Sequence, residues 1–135
     1  MQDGRPTSEV YDEAASLRAA LRLFLRHSET ITRRHGLSPR HYELLLMIKA
    51  SPGERSTVSE LVELLQLTQS TVTELVQRAE DAGLLTRRQS ADDGRVVHLS
   101  LTEEGVRRVE RAVTELGPER ARLLSLIRPA SELVR

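Results

Sequence analysis

The chain is 135 residues long, with 20 basic side chains balanced by 20 acidic ones and a formal net charge of zero. That length fits one domain with a modest core, and zero net charge argues against a protein that coats nucleic acid without selectivity. There is no cysteine, which excludes disulfides, thiolate metal sites and thiol-based oxidant sensing, and two tyrosines and one phenylalanine are too few for a single-strand stacking platform.

The distribution of charge says more than its sum. Basic residues bunch at Arg33-Arg34-His35, Arg40-His41, Arg87-Arg88 and Arg95, and all are arginines or histidines; Lys49 is the lone lysine. Arginine offers bidentate contacts to phosphate or guanine. No apolar run reaches membrane-spanning length and the amino terminus has no secretory pattern, so a soluble, cytoplasmic protein without membrane contact is expected.

Residues 1–6 are polar, contain Gly4 and Pro6, and read as a loose arm. From Ser8 to about Arg34 the chain reads as one long helix. Val10, Ala14, Leu17, Leu21, Phe24, Ser28 and Ile31 recur at spacings of four and three, a heptad-like seam. So long a helix overhangs any core this chain can build, and its seam points to a subunit interface. Gly36 ends it, and Ser38-Pro39 restarts the next helix as N-cap and first-turn proline. In that second helix Tyr42, Leu45, Met47 and Ile48 are core candidates. Residues 51–55 are a loop, and Thr57-Val58-Ser59-Glu60 fits a capping box ahead of a short helix over 58–65. Its apolar residues are Leu61, Leu64 and Leu65.

Gln66-Leu67 is a tight turn into a helix over residues 68–82. Val72, Leu75, Val76 and Ala79 form its buried stripe, and Ser70, Thr73, Glu74 and Gln77 occupy the opposite face. Thr68 caps its start and Gly83 ends it. The pair is thus helix, short turn, helix, the element that lays its second helix in a major groove. Two strand-like runs follow, 84–88 and 96–101, around the polar tip Gln89-Ser90-Ala91-Asp92-Asp93-Gly94-Arg95. After them Thr102 caps a further helix, where Glu103 and Glu104 suit the positive end and Val106, Val109, Val113 and Leu116 form the stripe. Gly117-Pro118 interrupts it, residues 119–128 resume with Ala121, Leu123, Leu124 and Ile127, and Pro129 is expected to break the helix again.

The fold class is therefore mainly α with a small β-wing. Catalytic constellations are missing: there is no glycine-rich phosphate loop, nucleophile elbow or supported carboxylate pair, and no cofactor is implied. His27, His35, His41 and His98 include no pair at i, i+4, so no metal site is expected.

At this point the residues resemble a known family, the MarR (multiple antibiotic resistance regulator) family of bacterial winged-helix transcription factors. The most specific stretch is Asp93-Gly94-Arg95 followed by Val96-Val97-His98-Leu99-Ser100-Leu101-Thr102 and an acidic helix start. Leu67-Thr68-Gln69-Ser70-Thr71-Val72-Thr73 and Ala82-Gly83-Leu84-Leu85 are similar to the family's recognition helix and its exit. The resemblance is close from Ser38 to Gly105 and extends to the flanking helices by pattern. It implies a homodimer on a pseudo-palindromic duplex: residues 37–102 as the winged helix-turn-helix lobe, 8–35 and 103–135 as the dimerisation region of a single domain. It also implies a small anionic or phenolic effector bound between lobe and dimer helices. Pocket residues leave no motif, and Tyr42, Phe24 and His41 are placed nearest by position. The sequence departs from the family at Gln66, where a glycine is frequent, and at Glu74, where a basic residue is frequent. A carboxylate there repels phosphate but accepts from cytosine N4.

Candidate DNA-binding residues follow from position and chemistry. Arg95 at the wing tip suits the negative potential of a minor groove, and Asp93 resembles the family acid that orients it. Gln69, Ser70, Thr73 and Gln77 are candidate base-edge readers. Thr57, Thr68 and Thr71 lie at helix starts, where free N–H groups favour phosphate. Arg87 and Arg88 alternate sides on a strand, so at most one faces the duplex, and Arg40 is a lesser candidate for backbone contact. A winged-helix protein-interaction module and a ligand sensor without DNA binding are the alternatives. The polar residues Ser70, Thr73 and Gln77 and the intact wing weigh against both.

Overall fold

The computed structural model describes the backbone of residues 4–134 and side chains through residue 125. Six α-helices and one small antiparallel sheet follow in the order α1 (Ser8–Arg34), α2 (Pro39–Ala50), a 3-10 turn at Pro52–Glu54, α3 (Val58–Leu65), α4 (Gln69–Asp81), β1 (Leu85–Gln89), β2 (Val97–Leu101), α5 (Glu103–Glu115) and α6 (Gly117–Val134).

The centre of the fold is α2. Leu44, Leu45 and Ile48 are fully buried and Tyr42 nearly so, while Leu46 and Met47 pack against the same core. Apolar residues on several faces mean a helix surrounded by others, and α2 touches α1, α3, α4, α5 and β2. Its start is built as the sequence dictates: Ser38 Oγ accepts from the His41 N–H and Pro39 occupies the first turn. Around it gather Leu61 from α3, Val72, Val76 and Ala79 from α4, Leu99 from β2, and Val109 and Ala112 from α5.

A 27-residue α1 is about 40 Å long, and only its end joins this core, through Ile31 and Thr32. Most of the helix stands clear. Val10, Leu17, Leu21, Leu23 and Leu25 are 49%, 52%, 37%, 51% and 57% exposed. Beyond Gly36, at positive φ, the end of α1 is clasped to α5: Arg34 pairs with Glu115 at 3.0 Å, and the Arg108 guanidinium donates to the Gly36 carbonyl at 3.1 Å.

The sheet is larger than two strands suggest. Leu85 pairs with Leu101, Arg87 with Leu99 and Gln89 with Val97, and Ser56 adds an isolated bridge on the far side of Leu99. Ser56 is fully buried, and its N–H and C=O both bond Leu99, at 3.0 and 2.7 Å. One residue of strand carries no alternation, so pattern reading passes over it.

Other boundaries differ from expectation by one residue at the strands. The break at Gly117-Pro118 holds, because α5 ends at Leu116 and the proline falls in the first turn of α6. The break at Pro129 does not: α6 continues to Val134. A proline removes one backbone donor and crowds one carbonyl, so a helix supported on both sides can run through it. The thirteen residues of α5 place Gly105, Val109 and Ala112 on the core face; of the apolar residues of α3, Leu61 is buried and Leu64 half exposed. Ile127 lies outside the residues whose side chains are described.

Gly105 is where α5 meets the sheet. A Cβ there would stand 2.1 Å from the Leu84 carbonyl oxygen, which is fixed backbone accepting from the Thr102 N–H at 3.0 Å. Helix propensity alone would favour Gly105→Ala by about 1 kcal/mol. We expect the substitution instead to cost about 1–3 kcal/mol as overpacking, read as a lower urea midpoint at unchanged slope; a raised midpoint would show that the contact relaxes freely.

Candidate nucleic-acid interface

Two threonine caps set the helix-turn-helix. Thr57 Oγ1 accepts from the Glu60 N–H at 3.2 Å and donates to the Glu60 carboxylate at 3.1 Å, so Glu60 serves the cap hydroxyl rather than the cap N–H of a reciprocal box. Thr68 Oγ1 accepts from the Thr71 N–H at 3.2 Å and donates to Thr71 Oγ1 at 2.8 Å. Between them Gln66 adopts the left-handed conformation, φ 55° and ψ 45°, that its place in the turn requires. Its Nε2 donates to the Glu63 carbonyl at 2.7 Å, which offsets part of the strain by serving an orphan helix-end acceptor.

α4 buries Val72, Leu75, Val76 and Ala79 and leaves Gln69, Ser70, Thr73, Glu74, Gln77, Arg78 and Asp81 exposed. The exposed face is internally paired. Arg78 Nη2 meets Glu74 Oε1 at 2.6 Å, and Gln77 Nε2 donates to Asp81 Oδ1 at 3.0 Å. Arg78 escaped the reading of the sequence, although its i, i+4 spacing from Glu74 was the signal that would have found it.

The wing is braced against the same helix. Arg87 Nε donates to Glu80 Oε1 at 2.8 Å, which ties β1 to α4. Arg88 lies across from His98, on the other face of the sheet from Arg87, and is exposed. Thr102 caps α5, accepting from the Gly105 N–H at 3.1 Å, and donates to the Gly83 carbonyl at 2.6 Å, where α4 ends. At the tip, Ser90 Oγ accepts from the N–H groups of Asp92 and Asp93. Asp93 Oδ1 accepts from the Arg95 N–H at 3.0 Å and lies 3.5 Å from Arg95 Nε. The Arg95 side chain is 95% exposed, carried outward from a turn that its neighbours hold. Arg40 is exposed in the first turn of α2 and lines a cleft described next.

That cleft, of about 720 Å³, lies between α1 and the lobe. Phe24 and Leu25 of α1, Tyr42, Leu46 and Met47 of α2, Leu67, Val113 of α5 and Leu116 just after it give it an apolar wall, and two cations, Arg40 and Arg120, line it together with two carboxylates, Glu29 and Glu43. Burial raises the Tyr42 phenol above its ordinary pKa. His41 does not line it. Its ring lies under α4, with Nδ1 3.0 Å from Ser38 Oγ and Nε2 buried without a hydrogen-bond partner. Burial holds the imidazole below its usual pKa, with the Arg78 charge adding to that and the Leu75 backbone opposing it.

Comparison with known proteins agrees with this geometry. Residues 35–96 match the profile of the MarR family. The organic hydroperoxide resistance transcriptional regulator of Bacillus subtilis is 40% identical over 75 residues, covering 56% of this chain and 49% of that protein. The chain thus spans about half the length of that curated relative. AbsC, a MarR family transcriptional regulator from Streptomyces coelicolor, superimposes with a TM-score of 0.80 at 22% identity, over 96% of this chain and 89% of that one. Sco3205, a MarR family transcriptional regulator of the same organism in complex with DNA, gives 0.77 at 23% identity, over 99% and 88%. Among the described residues no helix is long and apolar enough to cross a membrane.

Two outcomes follow from the geometry of the turn and the buried ring. Gln66→Gly relieves the left-handed strain and should raise stability by about 1 kcal/mol, seen as a higher melting temperature; a fall would mean that the Gln66–Glu63 bond outweighs the strain. His41 is neutral in the folded state, with its pKa depressed from 6.5. Its contribution to stability is therefore complete above 6.5 and is lost as pH falls from there through the lower folded value. Urea melts of wild type and His41→Gln between pH 7.5 and 5 should diverge in slope, the variant losing less stability on acidification.

Proposed function

We propose that the chain is a member of the MarR family, whose profile it matches over residues 35–96, and that it is a sequence-specific double-stranded DNA-binding transcriptional regulator, a repressor that acts as a homodimer on a pseudo-palindromic operator. The observation that carries this is the joint presentation of two elements. α4 exposes a polar face from a capped helix-turn-helix, and Arg95 projects from a wing braced to that same helix. One fits a major groove and the other the adjoining minor groove. Both belong to the lobe of residues 37–102, and residues 8–35 and 103–135 form the dimerisation region of the single domain.

The homodimer accounts for the leucine-rich surface of α1, which a lone chain leaves in water. Two lobes so joined read half-sites about one helical turn apart, near 10 base pairs centre to centre. Affinity comes mainly from phosphate contacts by the helix starts at Thr57, Thr68 and Thr71 and by arginines including Arg88 and Arg40. Gln69, Ser70, Thr73 and Gln77 supply base contacts. Arg95, oriented by Asp93, enters the minor groove, and Arg87 acts from its bond to Glu80.

The effector is a small anionic or phenolic compound in the cleft between α1 and the lobe: the apolar wall takes its ring, and Arg40 and Arg120, set against Glu29 and Glu43, supply the polar contacts. The regulator uses no cofactor and catalyses nothing; it works in the cytoplasm, on the nucleoid when bound. Since the chain has no cysteine, oxidation of a thiol is not its switch.

Selection of bound fragments from the source organism's own sheared DNA, at near-physiological salt, tests the reading. Enrichment of a few sites sharing an inverted repeat is expected, and recovery of no preferred sequence by a folded dimer would overturn it. On an enriched site, Arg95→Ala should lower the slope of log K against log salt by about one unit. An unchanged slope and affinity would remove Arg95 from the interface.

A further inference from the structure

The exposed face of α4 is unusual in carrying two carboxylates, Glu74 and Asp81, beside one cation, Arg78. Isolated carboxylates in a groove lined by phosphates are repelled by about 1 kcal/mol or more at close range even in water. Here they are not isolated. Asp81 accepts from Gln77, and Glu74 is held by Arg78 at 2.6 Å, the two side chains 62% and 66% exposed. Within this face Glu74 and Arg78 therefore form a net-neutral unit, an acceptor beside a fork of donors one helical turn apart on the surface, while Asp81 keeps its charge.

We propose that Glu74 and Arg78 dock as one unit on a C·G base pair in the major groove, the carboxylate accepting from cytosine N4 and the guanidinium donating to guanine O6 and N7. The inference rests on the DNA-binding reading above and names what that site selects. The edge of a C·G pair presents a donor followed by two neighbouring acceptors. An acceptor followed by a two-pronged donor is its complement, and the ion pair need not break to make the contact. A·T and T·A pairs alternate acceptor, donor and acceptor and add a methyl group, so they offer no two adjacent acceptors to the fork. A reversed pair, G·C, sets the cytosine donor against the guanidinium. Arg78 thus reads guanine and also holds Glu74 in place, while Glu74 keeps Arg78 from the phosphates that would otherwise attract it without regard to sequence.

The test is selection from a randomised duplex pool by wild type, Glu74→Gln and Arg78→Ala, with binding constants for the enriched sites and for unrelated DNA. Wild type should enrich half-sites with one invariant C·G pair. A bidentate base contact discriminates by about 1–3 kcal/mol, or roughly 5- to 150-fold. Both Glu74→Gln and Arg78→Ala should lose preference for C·G at that pair by a factor in this range, and they should differ on unrelated DNA, which Glu74→Gln binds more tightly because a negative charge is gone and Arg78→Ala more weakly because a positive one is. If both variants select the wild-type half-site, or if the wild-type half-site holds no invariant C·G pair, the inference is overturned and DNA binding stands. If wild type enriches nothing, the DNA-binding reading itself fails, and the inference with it.

Discussion

Leu44, Leu45 and Ile48 of α2 are shut off from water on every side, and the elements that shut them off include α4 and the wing strand β2. Burying three such side chains is worth about 1.5–3 kcal/mol each, a large share of a small domain's net stability. α4 covers one side of α2 and β2 covers another, so helix and wing take their positions from a common support. Three polar links then remove the freedom that apolar packing leaves. Arg87 joins β1 to Glu80 of α4, Thr102 joins the start of α5 to the carbonyl of Gly83, and Ser56 stitches the segment before α3 to Leu99. None of these makes α4 or the wing reach outward; together they fix the angle at which both do. Gly105 belongs to the same arrangement, since α5 can approach Leu84 only where no Cβ stands between them.

Charge is divided between these elements in a way that zero net charge conceals. On α4 Arg78 is paired with Glu74, while Asp81 accepts from the neutral Gln77 and Glu80 from Arg87 of the wing. At the wing tip Arg95 has one partner, Asp93, at 3.5 Å across a nearly fully exposed side chain, a contact worth little in water. The Asp93 oxygen spends its shorter bond on the Arg95 backbone N–H instead. That bond shapes the turn and leaves the guanidinium available. In the proposed complex the helix starts and exposed arginines supply the phosphate affinity common to any duplex, and selectivity comes from a groove that matches both the patterned face of α4 and a wing at a fixed distance.

Much of this was legible in the sequence wherever a side-chain pattern runs for several turns. The stripe Val72, Leu75, Val76 and Ala79 is buried as read, the caps Ser38, Thr57, Thr68 and Thr102 all act as caps, and Gln66 takes the left-handed conformation its position called for. What escaped is tertiary. Ser56 joins the sheet through backbone groups alone, so its identity carries no signal. Leu44, not among the core candidates of the second helix, is fully buried because α2 is covered on several sides. Pro129 obeyed its neighbours rather than its own preference. Arg78 was passed over because Glu74 was weighed singly, though a helix shows residues four apart to each other. Phe24 and Tyr42 do line the cleft and His41 does not, because on α2 successive residues point in directions about 100° apart.

The cleft and the long first helix bear on one another. α1 supplies Phe24 and Leu25 to the cleft and, further toward its start, the exposed Val10, Leu17 and Leu21. On the proposed dimer those residues are covered by the second chain, so α1 is held at one end by the partner and at the other by Ile31 and Thr32 in its own core. The cleft opens along the span between these two attachments. Its opposite wall is α2, on which α4 and the wing are mounted, with Leu67 of the helix-turn-helix at its edge. A molecule that fills this space touches both the part that sets the distance between lobes and the part that carries the reading surface. It can change that distance only by as much as it binds one spacing better than the other. On the proposed operator, two half-sites a fixed number of base pairs apart would convert that difference directly into a difference in affinity, because a lobe displaced along the duplex axis could not keep both α4 and Arg95 in the grooves assigned to them.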